Sequence, residues 1–293
     1  MHGRLAREAW HEGHAGRHVA RIAIVAALAA GGGSATVANA DAPATLLLPP
    51  AWTEIQTGPE GGSVWQGPIP DRFVAGATRP AVVYLPPGAS SRRRYPVLYL
   101  LHGLPGSPYS FVFGLRLAAI ADGLIATGHI APFIGVMPSA NTMSLYKGEW
   151  TGARADYIVR GVVPWTDAHL PTMARAADRT LAGLSAGGTG AIEIGLTHPR
   201  TFGALEAWSG TFAELERRTA RTAPLLRHEG TRFFLSCGST ADRRTAGLTR
   251  RFARELDALR LSHQLLLEPG GHDGRFWRRQ LPRALEFALG PRL

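Results

Sequence analysis

The chain has 293 residues, of which 45% are hydrophobic and 18% are charged, and this balance excludes a disordered protein. Its single cysteine, Cys237, excludes an internal disulfide framework and any cysteine-built zinc or iron–sulfur site. The net charge of +10 first suggests nucleic acid, but the arginines are scattered and no nucleic-acid-binding motif occurs, so we predict no such partner.

The first forty residues have the three parts of a secretory signal peptide. A basic segment at 1–21 precedes an apolar run at 22–30, and Ala38 and Ala40 then form an Ala-x-Ala cleavage site. We therefore predict a signal peptide at 1–40, cleavage after Ala40 and a secreted protein. The alternative is an uncleaved N-terminal membrane anchor, although a membrane span needs about 20 apolar residues and this run is much shorter.

Residues 41–293 are predicted to form a single α/β domain. Short β-rich runs at 80–85 and 96–101, separated by turn residues, predict a hairpin. Helical spacing follows at 111–127 and at 156–170, where Pro164 is expected to kink the helix, and a strand is predicted between them at 132–137.

From residue 179 onwards, apolar runs alternate regularly with helical patterns. The predicted strands are 179–184, 202–208, 233–237 and 264–267, and the predicted helices are 186–198, 244–260 and 275–289. Nearly continuous apolar strands alternating with helices indicate a mostly parallel sheet that is covered by helices on both faces.

A G-x-S-x-G pattern surrounds Ser185, between a predicted strand and a predicted helix. This is the setting of a nucleophile elbow, where a sharp turn exposes the serine hydroxyl above the sheet. Gly183 and Gly187 are expected to be necessary, because side chains two residues away from the serine would collide in such a turn. We predict that Ser185 is the nucleophile.

A serine hydroxyl needs a base, and in this kind of fold the chain order is serine, acid, histidine. Four histidines follow Ser185: His198, His228, His263 and His272. Only His272 lies in a loop between the last predicted strand and the last predicted helix, where a base could meet the elbow. We predict that His272 is the base.

Three carboxylates are candidates for the acid that orients the imidazole. Asp242 follows the predicted strand 233–237, at the same edge of the sheet as the elbow, and it is the preferred candidate. Glu268 is the second choice. Asp273 opens the last predicted helix, where N-capping is the simpler role.

An oxyanion hole needs backbone N–H donors from the residue after the nucleophile and from an earlier strand-exit loop. We predict Ala186 for the first and Leu104 for the second, since Pro105 has no N–H. His102 precedes that loop. It is expected to act through hydrogen bonds rather than by proton transfer, and it is also a candidate for substrate binding.

Together these motifs resemble the putative-esterase family of α/β-hydrolases, which includes esterase D-like enzymes, feruloyl esterases and secreted mycolyltransferases. The resemblance covers residues 82–287, and its most specific parts are the doubled glycine after Ser185 and the sequence 270–273. It implies an α/β-hydrolase fold without a large lid. It also implies that a loop containing Tyr146, Glu149 and Trp150 borders the substrate.

The primary prediction is a secreted serine carboxylesterase that works through an acyl-enzyme, without a metal or cofactor. Its partner would be a small-molecule or polymer-linked ester. The first alternative is a mycolyltransferase-like acyltransferase acting on sugars or lipids of the cell envelope. Against it, His102 replaces the aspartate of those enzymes, and the segment 210–232 is too short for their insert. The second alternative is a non-catalytic envelope-binding protein.

Overall fold

The computed structural model describes residues 46, 48–73, 78–140, 150–212 and 215–291. All of them belong to the compact unit Pro43–Leu293. The predicted signal peptide at 1–40, together with Tyr146 and Glu149, lies outside the described residues, so the predictions made for them stay predictions. None of the helices in the described ranges has the length and apolarity needed to cross a membrane.

The described strands form one nine-stranded sheet in the order β1-β2-β3-β5-β4-β6-β7-β8-β9. Their bounds are β1 Thr53–Thr57, β2 Ser63–Pro70, β3 Thr78–Leu85, β4 Val97–Leu101, β5 Ile134–Pro138, β6 Arg179–Leu184, β7 Ala204–Trp208, β8 Arg232–Gly238 and β9 His263–Glu268. β1, β2, β3 and β5 pair antiparallel, and all pairs from β5 through β4 to β9 are parallel. The predicted parallel sheet is therefore confirmed, with an antiparallel extension at one edge.

The predicted hairpin between β3 and β4 is wrong. β5 lies between them, because Val136 pairs with Val83 on one side and with Tyr99 on the other. β4 is buried along its whole length, so its apolar residues carry no alternation that would reveal its neighbour. β1 and β2 were missed because β1 is largely exposed and β2 contains two prolines, which usually argue against a strand.

Seven α-helices lie in the described ranges: α1 Leu117–Ala126, α2 Ala153–Asp156, α3 Val163–His169, α4 Ala186–Thr197, α5 Glu216–His228, α6 Arg243–Ala258 and α7 Gly274–Leu289. Two predicted helices are divided. A π-helical turn at Ser110–Gly114 precedes α1, and Arg116, with φ 58°, separates the two. A second π-helical turn joins α2 to α3, where Pro164 lies in the first turn and its missing N–H is tolerated.

The helices cover the sheet on both faces, as predicted. Leu98 and Leu100 of β4 pack in one apolar cluster with residues of α1 and α7. Tyr99 and Leu101, on the opposite side of the same strand, pack in a second cluster with residues of α3, α4, α5 and α6. Successive side chains of a strand point to opposite faces, so each central strand contributes to both clusters.

The parallel strands end at a common edge, and this edge positions the candidate site. β6 ends at Leu184, immediately before Ser185, and β8 and β9 end a few residues before Asp242 and His272. β4 ends at Leu101, just before the predicted oxyanion loop. Because β4, β6, β7, β8 and β9 are parallel and consecutive in the sheet, the loops that follow them converge above one edge.

Candidate active site

Ser185 occupies a tight turn between β6 and α4, with φ 54° and ψ −120°. A side chain is strained in this region, so the turn must be held by its surroundings. An added Cβ at Gly183 would lie 2.3 Å from the carbonyl oxygen of Gly187, and one at Gly187 would lie 1.9 Å from that of Leu101. The predicted need for glycine on both sides of the serine is confirmed.

Backbone hydrogen bonds fix the strained turn in place. The Ser185 N–H donates to the carbonyl oxygen of Trp208 at 2.8 Å, and the Thr189 N–H donates to the Ser185 carbonyl at 3.1 Å. α4 begins directly after the serine, so the positive end of its dipole lies next to the hydroxyl. A developing negative charge at this place would be stabilised.

The structure brings together the three side chains that the sequence selected. His272 Nε2 lies 2.8 Å from Ser185 Oγ, and His272 Nδ1 lies 2.7 Å from Asp242 Oδ2. The carboxylate can only accept, so Nδ1 donates to it and Nε2 is left to accept the serine proton. The His272 side chain is 38% exposed and that of Asp242 11%, so solvent reaches the imidazole while the carboxylate is shielded.

The two competing carboxylates have other positions. Glu268 lies at the end of β9, and its Oε2 is 3.9 Å from Arg279 Nε, so the second choice for the acid is wrong. Asp273 caps α7 by accepting from the N–H groups of Arg275 and Phe276 at 2.9 and 3.0 Å, as predicted. Asp242 also stands at a helix N-terminus, but its side chain makes no capping bond.

Hydrogen bonds between the two loops that carry Asp242 and His272 set their separation. Thr240 Oγ1 accepts from the Gly270 N–H at 3.0 Å and donates to the Gly270 carbonyl at 3.1 Å, and the Ala241 N–H donates to that carbonyl at 3.0 Å. Thr240 was not predicted as a site residue, because nothing in its local sequence shows that its hydroxyl reaches a loop thirty residues away.

The loop predicted to supply the second oxyanion donor lies against the serine. An added Cβ at Gly103 would be 3.0 Å from Ser185 Cβ, so the loop passes within contact distance. Within the described ranges, the N–H groups of Leu104 and Ala186 donate to no protein atom. Both donors are therefore available to a ligand, which is what the prediction requires of them.

His102 and Trp150 are buried, which contradicts their predicted contact with substrate. His102 Nε2 accepts from the Ala140 N–H at 3.2 Å, and Nδ1 lies 2.9 Å from the Gly103 carbonyl oxygen. The Trp150 indole N–H donates to the His102 carbonyl at 3.0 Å. Burial lowers the pKa of His102, so its ring is neutral at physiological pH and supports the oxyanion loop, which confirms its predicted hydrogen-bonding role.

Known proteins resemble this chain in sequence. The sequence model of the Putative esterase family matches residues 74–288. The chain belongs to this family. It is also 30% identical over 219 residues to an endo-1,4-beta-xylanase/feruloyl esterase of Xylanibacter ruminicola, a match that covers 71% of this chain and 29% of that relative. The chain thus spans less than a third of the curated relative's length.

Solved structures of esterases are similar in fold. A ferulic acid esterase superposes with a TM-score of 0.68 at 22% identity, covering 78% of this chain and 98% of that one. The feruloyl esterase module from Clostridium thermocellum, solved as a complex with sinapinate, superposes with a TM-score of 0.66 at 18% identity, covering 83% and 95%. The predicted α/β-hydrolase fold and the predicted resemblance to the putative-esterase family are confirmed.

One buried carboxyl group lies in the strand next to the candidate site. Glu206 in β7 is inaccessible to solvent, and its Oε2 accepts from the Trp208 indole N–H at 2.9 Å. Burial raises the pKa of Glu206 to about 8. Trp208 is also the residue whose backbone carbonyl holds Ser185, so the charge state of this carboxyl bears on the stability of the region around the serine.

Glu206→Gln is expected to change how stability depends on pH. Folding raises the pKa of Glu206 from 4.5 to about 8. The contribution of this carboxyl to the free energy of unfolding is therefore fully present below pH 4.5 and is lost as pH rises through about 8. The melting temperature of the wild type should therefore fall, relative to that of the variant, between these two values. Thermal unfolding across the range measures this, with exposed Glu60→Gln as the control. Parallel curves for wild type and Glu206→Gln would contradict the prediction.

Proposed function

We propose that this esterase hydrolyses carboxylic esters through a covalent acyl-enzyme on Ser185. The observation that carries the proposal is the position of His272, which bridges Ser185 Oγ and Asp242 Oδ2 at 2.8 and 2.7 Å. A base within hydrogen-bond reach of a nucleophile, oriented in turn by a carboxylate, is the arrangement that nucleophilic acyl transfer requires.

The first half of the reaction forms the acyl-enzyme. Ser185 Oγ attacks the ester carbonyl carbon while His272 Nε2 takes the hydroxyl proton, and Asp242 stabilises the imidazolium that results. The carbonyl oxygen becomes an oxyanion, which the N–H groups of Leu104 and Ala186 and the N-terminus of α4 stabilise. Each such donor contributes about 2.7–4 kcal/mol of transition-state stabilisation. The tetrahedral intermediate then collapses, and His272 gives its proton to the departing alcohol.

The second half of the reaction releases the acid. A water molecule takes the place of the alcohol, gives its proton to His272 and attacks the acyl carbon. The intermediate then breaks its bond to Ser185 Oγ, which recovers the proton from His272. The products are one carboxylic acid and one alcohol, and the three side chains return to their starting state. The exposure of His272 gives water direct access to this step.

The acyl group that we favour is an aromatic one. Tyr109 and Phe113 follow the oxyanion loop, and their rings stack with centroids 5.9 Å apart. Phe113 is 60% exposed, which is unusual for a large apolar side chain and gives an aromatic acyl group a surface to pack on. Relatives named for ferulic acid, and the esterase module solved with sinapinate, are consistent with this choice.

A panel of esters tests the proposal. The wild type should hydrolyse acetyl, longer acyl, feruloyl and sinapoyl esters at unequal rates, with the aromatic esters the best, and a fluorophosphonate should label the protein. Absence of turnover together with absence of labelling would overturn the proposal and favour an envelope-binding protein. Turnover that prefers acetyl over aromatic esters would overturn only the acyl group. Acyl transfer to an added sugar in preference to water would favour the acyltransferase.

We also propose that the esterase is exported by a signal peptide at 1–40. The basic segment, the apolar run and the Ala38-x-Ala40 site support this. N-terminal sequencing of the mature protein from the culture medium of an expressing bacterium tests it. A mature chain that begins at Asp41 is the expected result, and recovery of the intact N-terminus in the membrane fraction would favour the uncleaved anchor.

A further inference from the structure

The one cysteine of the chain lies against the carboxylate of the proposed triad. Cys237 is buried near the end of β8, and its Sγ is 3.4 Å from Asp242 Oδ2, the same oxygen that accepts from His272 Nδ1. Burial raises the pKa of the Cys237 thiol to about 12, so the sulfur keeps its proton. An ionised carboxylate can only accept, and the hydrogen bond therefore runs from S–H to Asp242.

A second buried residue continues this hydrogen bonding away from the triad. Ser209, with φ 56°, follows β7, and its N–H donates to the Ser236 carbonyl at 2.6 Å. Its hydroxyl accepts from the Trp277 indole N–H at 3.1 Å and lies close enough to the Cys237 thiol to lower the pKa of that thiol. The Trp277 ring in turn packs edge-to-face on His272, with ring centroids 5.1 Å apart.

Hydrogen bonds and one ring contact therefore join Cys237 to Asp242, Asp242 to His272, His272 to Trp277 and Trp277 to Ser209, and Ser209 lies beside Cys237. These contacts matter because Asp242 makes no capping bond to α6, so the helix does not hold its carboxylate. Within the described ranges, the side-chain donors to that carboxylate are His272 and Cys237. The strained backbone of Ser209 shows that its surroundings hold the residue firmly where its hydroxyl accepts from Trp277, beside Cys237.

We propose that Cys237 is a positioning residue for the reaction, and that the chain from Trp277 through Ser209 and Cys237 fixes the carboxylate of Asp242. This inference rests on the proposed function. The thiol touches neither the substrate nor the reacting atoms. It holds the carboxylate in the orientation that accepts the hydrogen bond from His272 Nδ1. Its removal should therefore lower kcat and leave KM unchanged.

A pair of substitutions separates hydrogen bonding from packing. Cys237→Ala removes the donor and should lower kcat about tenfold, the equivalent of one hydrogen bond to a charged group, with KM unchanged. Cys237→Ser keeps a donor and should recover most of the lost rate. Its buried hydroxyl should make the folded state less stable than that of Cys237→Ala, because burying a polar group costs free energy. Ser209→Ala interrupts the chain one step further away and should give a smaller loss. Equal rates for the alanine and serine variants of Cys237 would overturn the inference.

The frequency of the S–H stretching band reports whether the thiol donates a hydrogen bond, and packing alone would not change it. The chain has one cysteine, so the infrared spectrum contains a single such band. In the wild type it should lie at the lower frequency of a hydrogen-bonded thiol, shift upward in Asp242→Ala and stay in place in Ser185→Ala. A band at the free-thiol frequency in the wild type, or one that Asp242→Ala leaves unmoved, would overturn the inference even if the cysteine variants fail to fold.

The labelling rate with a fluorophosphonate distinguishes failure of this inference from failure of the proposed function. Labelling measures activation of Ser185 without any assumption about the ester. A folded wild type that is not labelled and does not hydrolyse the esters overturns the proposed function. If the wild type is labelled, about tenfold slower labelling of Cys237→Ala supports the inference. Equal rates overturn the inference alone and leave the esterase proposal intact.

Discussion

Replacing Ser185 by alanine should lower kcat for ester hydrolysis by about 10⁴- to 10⁶-fold, with KM close to the wild-type value. The variant loses the nucleophile, while the oxyanion donors of Leu104 and Ala186 and the surrounding surface remain. Those donors support only a slow, direct attack by water. Steady-state hydrolysis of the best ester in the panel measures the loss, and fluorophosphonate labelling should disappear with it.

Two further variants make the Ser185 result specific. His272→Ala should cost nearly as much as Ser185→Ala, and the double variant should be little worse than either one, because the two groups act as a single hydrogen-bonded unit. Ser262→Ala is the matched control. That serine is exposed and precedes β9, at the opposite end of the strand from His272, so its removal should leave kcat unchanged. If the two losses in kcat added up in the double variant, Ser185 and His272 would not act as a single unit.

The candidate site could be predicted because each part of it has a local signature. The glycines around Ser185 are required by close approach of the backbone, and such a requirement is visible in five consecutive residues. His272 and Asp242 follow apolar strands, and parallel strands bring their trailing loops to one edge. The position of Asp242 after the strand 233–237 then favoured it over Glu268, and the structure agrees with that choice.

The errors arose where the decisive contact is distant in sequence. The order of β3, β5 and β4 depends on which strand pairs with which, and fully buried strands give no clue to their partners. Burial of His102 and Trp150 depends on contacts between residues 48 apart. Cys237 is buried near the end of β8. Its hydrogen bond to Asp242 depends on the rotamers of both side chains, which no sequence pattern specifies.

The tight packing between the elbow and β4 leads to the last prediction. A Cβ at Gly187 would lie 1.9 Å from the Leu101 oxygen and 2.7 Å from the His102 oxygen. Both are backbone atoms, so no side chain can rotate away to relieve the overlap. Strand β4 must move, and it carries the loop that supplies the Leu104 donor. Gly187→Ala should therefore affect the folded state and the oxyanion hole together.

Gly187→Ala is expected to reduce the free energy of unfolding by about 3 kcal/mol or more. The fraction that still folds should lose about 10²-fold or more in kcat, the usual effect of a lost oxyanion donor. Urea denaturation and ester hydrolysis on the same preparation measure the two effects.

Gly247→Ala is the matched control. Gly247 is exposed in the middle of α6, and an added Cβ meets nothing within 4 Å. That variant should gain about 0.5–1 kcal/mol and keep its activity, because alanine favours a helix over glycine. If Gly187→Ala unfolded at the same urea concentration as the wild type, β4 would move easily. The oxyanion loop would then be less rigidly fixed than its contacts with Ser185 indicate.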